Sequence, residues 1–217
     1  MACLRIKICG ITTVDDARPA AALGVDAIGV NFYPQSPRYV DPRNAPAMLR
    51  QLPPFVEPVG LFVNQPLRQA CAVCYQLGIR TIQWHGDQRE VSDPYPFGLI
   101  AAFQVHDQQS LQEIERYLAQ CRAQGWVPAA VLLDAHVPGE YGGTGQPAPW
   151  NLLADFRPGV PLILAGGLTP DNVGEAVRIV RPYGVDVASG VEDSPGRKNL
   201  EKMRRFIGYA REAAARY

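Results

Sequence analysis

Short, unbroken apolar runs recur along this chain, at residues 4–9, 27–32, 58–63, 79–84, 98–105, 129–134, 161–165 and 184–188. Most are continuous rather than alternating, the mark of strands buried on both faces of a parallel sheet. The stretches between them carry helix boundaries. Thr13 precedes Asp15 and Asp16, a side-chain cap followed by acidic residues that suit the positive end of a helix dipole. The segment from Pro66 to Leu77 has proline at its start and Gly78 just past its end. His106-Asp107 opens another helix, Thr169-Pro170-Asp171 a further one, and residues 199–214 form the last. Pro19 falls inside the first helix, where its missing N–H and its ring cost ~3 kcal/mol or kink the turn.

Strands alternating with helices build either a doubly wound sheet or a closed barrel. A flavodoxin-like sheet uses about five strands and leaves roughly 70 residues unexplained. Eight is the barrel number, and ~27 residues per strand–helix unit suits a compact version of it. The pattern therefore predicts an α/β fold, a single (β/α)8 TIM barrel, with residues 1–217 forming one catalytic domain. Residues 87–96, which include Asp93-Pro94-Tyr95-Pro96, leave room for about one helical turn. Helix four is expected to be shortened.

Composition narrows the function classes. With 47% hydrophobic and 19% charged residues, a chain of 217 residues folds around one sizeable core. Lys+Arg and Asp+Glu balance at 21 each, which lacks the basic footprint that nucleic acid or an anionic membrane demands. No uncharged apolar run approaches the ~18 residues of a membrane span, and no signal-like segment precedes the first strand. A cytoplasmic location is expected, with the five cysteines as reduced thiols.

In such barrels the chemistry stands at the C-terminal strand ends. There the chain places Cys9-Gly10, Tyr33 to Arg38, Asn64, Gln83 to Gly86, Asp134, Gly166-Gly167-Leu168 and Ser189-Gly190. The glycine turns after strands seven and eight let backbone N–H groups converge on a phosphate, and a helix opening at Thr169 would add partial positive charge. Ordinary turns needing positive φ are the alternative, but the matched pair at these two strands favours phosphate.

Cys9 and Asp134 are the candidate catalytic pair. A buried carboxylate is costly unless paired or used, whereas a lone cysteine often serves as a small buried hydrophobe. Lys7 shares a strand face with Cys9, two residues deeper. It either lowers the thiol pKa from ~8.5 or neutralises a nearby carboxylate. Cys71 and Cys74 form one C-x-x-C on a helix without a second ligand pair, which points to core packing, and no metal is expected. His85 reads as a structural or rim residue. The glycines at 142–145 lack the Lys-Ser/Thr of a P-loop.

Taken together, these strand ends resemble the phosphoribosylanthranilate isomerase family. The likeness runs in order through Lys7-Ile8-Cys9-Gly10-Ile11-Thr12, Phe32-Tyr33-Pro34, Ser36-Pro37-Arg38-Tyr39-Val40 and Gly60-Leu61-Phe62-Val63-Asn64. It continues through Gln83 with His85-Gly86, Leu132-Leu133-Asp134, Gly142-Gly143-Thr144-Gly145, Ala165-Gly166-Gly167-Leu168 and Ser189-Gly190-Val191-Glu192. The resemblance implies an Amadori rearrangement of a phosphorylated aminosugar in tryptophan biosynthesis, without a cofactor, by a monomer or homodimer. It implies Cys9 as general base, Asp134 as general acid, Arg38 as the anthranilate-binding residue, and Gly167, Ser189 and Gly190 as the phosphate site. Asn31 departs from the family's usual apolar residue, Trp84 from its leucine and Asn199 from its aspartate; Pro19 is also atypical.

Three other readings compete. An aminoaldose isomerase of histidine biosynthesis would carry an aspartate where Cys9 stands. A Schiff-base aldolase acting through Lys7 would be trapped by borohydride. A phosphometabolite-binding module without turnover would keep the glycine turns and dispense with the proton-transfer pair.

Overall fold

The computed structural model describes residues 4–86, 93, 94, 96–135 and 150–216. Eight parallel strands close into a barrel: β1 Arg5–Cys9, β2 Ala27–Asn31, β3 Glu57–Val63, β4 Thr81–His85, β5 Gly98–Gln104, β6 Ala130–Asp134, β7 Leu162–Ala165 and β8 Gly184–Val187. Each strand pairs with the next in sequence, and β1 pairs with β8, with Lys7 opposite Asp186. All eight fall on the predicted apolar runs.

The helices outside are α1 Val14–Ala22, α2 Ala45–Leu49, α3 Leu67–Leu77, α4 Gln108–Ala123, α5 Trp150–Leu153, α6 Val173–Val180 and α7 Leu200–Ala214. Their ends follow local chemistry. The Thr13 hydroxyl accepts the Asp16 N–H at 3.1 Å, the Asp107 carboxylate accepts that of Ser110 at 2.8 Å, and Asn199 accepts that of Lys202 at 2.8 Å. Gly78 ends α3 in the left-handed region at φ 68°, where an L side chain is disfavoured. α1 continues through Pro19 and still forms the Leu23 N–H to Pro19 carbonyl bond at 3.0 Å. Asp15, whose carbonyl loses its donor to the proline, is exposed, so water can satisfy it.

Two expectations change. The helix after β7 begins at Val173, not at Thr169-Pro170, because the Asn172 side chain accepts the Thr169 N–H at 2.7 Å and holds a turn first. After β8 the chain makes a 3-10 turn at Ser189–Val191 and an antiparallel hairpin, β9 Glu192–Ser194 and β10 Arg197–Lys198, which the apolar pattern does not announce. The shortened fourth helix lies mostly outside the described residues, as do the glycines at 142–145. Among the described residues, no helix is long and apolar enough to cross a membrane.

Strand alternation sorts the side chains into two layers. Ile6, Ile8, Val131, Leu133, Val185 and Val187 face outward and pack under the helices. Val59, Ile100, Ala102, Ala130, Leu132, Ile163 and Ala165 fill the barrel interior. Full burial of one such aliphatic side chain is worth about 1.5–3 kcal/mol. By the same alternation Lys7 and Cys9 point inward on β1, Asp134 on β6 and Asp186 on β8. Cys74 is buried in the helix–barrel layer, which agrees with the packing role expected for it.

Candidate active site

A cavity of about 280 Å³ opens at the C-terminal ends of the strands. Cys9 and Asp134 both line it, together with Gln83, His85, Asp186 and, at one end, Gly166, Gly167, Leu168 and Ser189. The predicted acid, base and most of the predicted phosphate turns thus converge on one space. A larger groove of about 440 Å³ lies between α6 and α7 on the outer layer, away from the strand ends.

Cys9 is buried and is backed by Gly29 on the neighbouring strand. A β-carbon added at Gly29 would lie 2.6 Å from Cys9 Sγ and 3.1 Å from Lys7 Nζ, so the missing side chain makes the room both groups occupy. Lys7 Nζ donates to Asp186 Oδ1 at 2.9 Å, and both residues are buried. Burial pushes the Cys9 thiol above its usual range; Lys7 and Lys198 pull it down, and Asp186 pushes it further up. Lys7 therefore does both of the things expected of it. It neutralises a carboxylate and opposes the rise at the thiol, but burial wins.

Sequence reasoning placed Gln83 and His85 at the end of β4 but gave Gln83 no role in the site. His85, read from the sequence as a structural or rim residue, lines the cavity, and burial, its largest influence, holds its pKa below the ordinary value. Its Nε2 lies 2.8 Å from Gln83 Nε2, while the buried Gln83 Oε1 has no partner among the described residues. The signal was present. Thr81, Gln83 and His85 alternate with Ile82 and Trp84, so the polar set occupies the inward face.

The glycine turns after β7 and β8 are built by close backbone approach. Gly166 and Gly167 take φ of 89° and 61°, and Asn172 Nδ2 donates to the Gly167 carbonyl at 2.9 Å. A β-carbon at Gly190 would fall 1.9 Å from the Leu168 carbonyl oxygen, so this glycine lets the β7 and β8 loops touch.

Arg38 is not among the residues that line the cavity; its stem crosses Gly10, next to Cys9, where a β-carbon would lie 2.5 Å from Arg38 Cδ. Its loop is braced from below. Asn31 Nδ2 donates to Ser36 Oγ at 3.0 Å, Asn31 Oδ1 accepts the Tyr33 N–H at 2.9 Å, and Ser36 Oγ accepts the Arg38 N–H at 3.1 Å. The atypical asparagine thus has a structural task. Trp84 likewise donates to the Gln65 carbonyl at 3.0 Å. Arg38 Nε and Nη2 donate to Glu192 at 2.8 and 2.6 Å, a partner the sequence did not suggest.

Comparison with known proteins gives one consistent answer. The model of a family described as N-(5'-phosphoribosyl)anthranilate (PRA) isomerase matches residues 6–208. The chain is 45% identical to the N-(5'-phosphoribosyl)anthranilate isomerase of Geobacter sulfurreducens over 96% of this chain and 98% of the relative. It is 46% identical to that of Acidithiobacillus ferrooxidans over 97% and 99%. Among solved structures, the phosphoribosyl anthranilate isomerase of Thermotoga maritima superposes with a TM-score of 0.83 at 35% identity, covering 96% of this chain and 99% of that one. A structure of phosphoribosyl anthranilate isomerase in complex with reduced 1-(o-carboxyphenylamino)-1-deoxyribulose 5-phosphate gives 0.80 at 32% identity over the same shares.

Proposed function

The chain belongs to the N-(5'-phosphoribosyl)anthranilate isomerase family, and from that premise we propose that its strand-end cavity carries out the Amadori rearrangement of tryptophan biosynthesis with Cys9 and Asp134 as the proton-transfer pair. The substrate is N-(5'-phosphoribosyl)anthranilate and the product 1-(2-carboxyphenylamino)-1-deoxyribulose 5-phosphate. One observation carries the assignment of roles: Cys9 and Asp134, from strands one and six, line the same cavity, and the glycine turns of strands seven and eight form its end.

Asp134 donates a proton to the furanose oxygen as the C1′–O bond breaks, and the anthranilate nitrogen lone pair forms the Schiff base. Cys9, once deprotonated, removes the C2′ proton, and electrons flow into the C=N bond to give an enolamine. Tautomerisation then yields the ketone. The substrate's own nitrogen is the electron sink, so the chemistry calls for neither a metal nor an organic cofactor. Lys7 and Lys198 favour the anionic thiolate, which burial opposes.

Backbone N–H groups around Gly167, Ser189 and Gly190 hold the phosphate. Arg38 holds the anthranilate carboxylate by charge-assisted hydrogen bonds. Gln83 Oε1, buried against the cavity wall, is placed to accept from a sugar hydroxyl. The assembly is a monomer or a homodimer, which sedimentation velocity distinguishes.

The direct test generates phosphoribosylanthranilate in situ and follows the loss of its fluorescence on adding the purified protein. Turnover is the expected result. No turnover, with release of product from an aminoaldose substrate of histidine biosynthesis, would overturn the assignment.

A further inference from the structure

Beside Gly10, next to Cys9, Arg38 is joined to Glu192 and Lys198 in a chain of charged side chains, and the chemistry above gives Glu192 no task. Glu192 is 7% exposed and accepts from Arg38 Nε at 2.8 Å and from Arg38 Nη2 at 2.6 Å. Its Oε1 also accepts from Lys198 Nζ at 2.7 Å, and the Lys198 side chain is fully buried. Lys198 further donates to the Ala188 carbonyl at 3.1 Å, and Lys202 Nζ donates to the Glu192 carbonyl at 2.6 Å. Two cations therefore share one carboxylate, which leaves an excess positive charge in this cluster.

A guanidinium offers five N–H donors along two edges. Glu192 fills the edge made by Nε and Nη2. Among the described residues Nη1 makes no hydrogen bond, so the second edge, Nη1 with the remaining Nη2 proton, is left to a ligand. The stem of Arg38 is confined as well, since it crosses Gly10 where only a glycine leaves room. Thr12 Oγ1 donates to the Gly196 carbonyl at 2.7 Å, tying the hairpin that carries Glu192 and Lys198 to the β1 loop.

We propose that Glu192 is a positioning residue for substrate recognition, holding one edge of the Arg38 guanidinium so that the other edge is presented, already oriented, to the aryl carboxylate of the substrate. Lys198 holds Glu192 in turn. The proposal rests on the reading of Arg38 as the carboxylate-binding residue. Its physical content is preorganisation. A long side chain ordered before binding pays no ordering cost on binding, and an oriented fork matches a carboxylate with both donors at once. A merely structural Glu192 would stabilise the hairpin without distinguishing ligands.

The test uses the full-length protein and two ligands. One is reduced 1-(o-carboxyphenylamino)-1-deoxyribulose 5-phosphate; the other is its phenylamino counterpart lacking the ring carboxylate. Calorimetric titration compares wild type, Glu192→Gln, Glu192→Asp and Arg38→Met, with a melting curve for each. Glu192→Gln should lose roughly tenfold in affinity for the carboxylate-bearing ligand, the scale of one charge-assisted contact, and change little toward the other. Glu192→Asp, which keeps the charge but shortens its reach, should show a smaller loss of the same selectivity, and it serves if the glutamine variant does not fold. Equal losses on both ligands, or no loss on either, would overturn the proposal. Arg38→Met separates the two readings. If it is carboxylate-selective and the Glu192 variants are not, Glu192 alone loses its role. If Arg38→Met is itself unselective, the assignment of Arg38 fails and that of Glu192 with it.

Discussion

Lys7 and Asp186 face each other across the β1–β8 seam of the barrel, with Nζ and Oδ1 2.9 Å apart, two residues below Cys9. The pair puts a cation and an anion under a buried thiol, and their effects on it oppose each other. Because burial is the larger influence, the thiol keeps its proton above the ordinary range of ~8.5. A base that must be a thiolate then works better as pH rises. kcat/KM should climb through and beyond that range, and Lys7→Met should move the rise to still higher pH by removing a cation. A pH–rate profile, paired with iodoacetamide alkylation of Cys9, measures both. A rise centred at or below the ordinary thiol range would contradict the dominance of burial.

In the proposed mechanism Cys9 and Asp134 act on different atoms, so each should be needed separately. Cys9→Ala and Asp134→Asn should each lower kcat by about 10²–10⁴-fold while sparing product-analogue affinity. Cys9→Ser should fare little better than alanine, since an unactivated hydroxyl is a poor base near neutrality. Steady-state kinetics on folded variants decides the matter. If Cys9→Ala kept more than about a tenth of wild-type kcat, the thiol would not be the base.

Gly190 is where the glycine turns after β7 and β8 meet, the phosphate site of the proposal. A β-carbon there would collide with the Leu168 carbonyl, a backbone group with nowhere soft to move. Gly190→Ala should cost about 1–3 kcal/mol of stability and weaken inhibition by inorganic phosphate. Unchanged inhibition, with a lowered melting temperature, would place the phosphate elsewhere.

Asn31 anchors the loop of Arg38 through Ser36 and the Tyr33 N–H. Asn31→Leu removes both bonds, each worth about 1 kcal/mol. On the proposed roles KM should rise with kcat nearly unchanged, because the loop would bind substrate without taking part in proton transfer. A fall in kcat at constant KM would assign Asn31 a different task.

In the proposed mechanism the substrate supplies its own electron sink, so turnover should need no metal. Dialysis against EDTA should leave turnover intact, and a loss restored by Mg²⁺ or Zn²⁺ would call for a different mechanism.

Much of this protein was written locally. The apolar runs marked all eight strands, and Thr13, Gly78, Asp107 and Asn199 marked helix ends, because caps and strand burial depend on residues within a few positions of one another. Alternation also put Cys9 and Lys7 on one face and Asp134 at a strand end. The same rule applied to β4 would have turned Gln83 and His85 inward.

What the sequence determined by itself was the barrel, its strand ends and the residue types standing there. Only the tertiary structure decided who meets whom. Asp186 reaches Lys7 across 179 positions because the sheet closes on itself, and Glu192 reaches Arg38 across 154 because an unannounced hairpin folds over the β1 and β2 loops. The protonation of Cys9 was undecided for the same reason. Desolvation and the charges around the thiol come from strands and loops distant in sequence, and their balance exists only once the barrel has closed and excluded water.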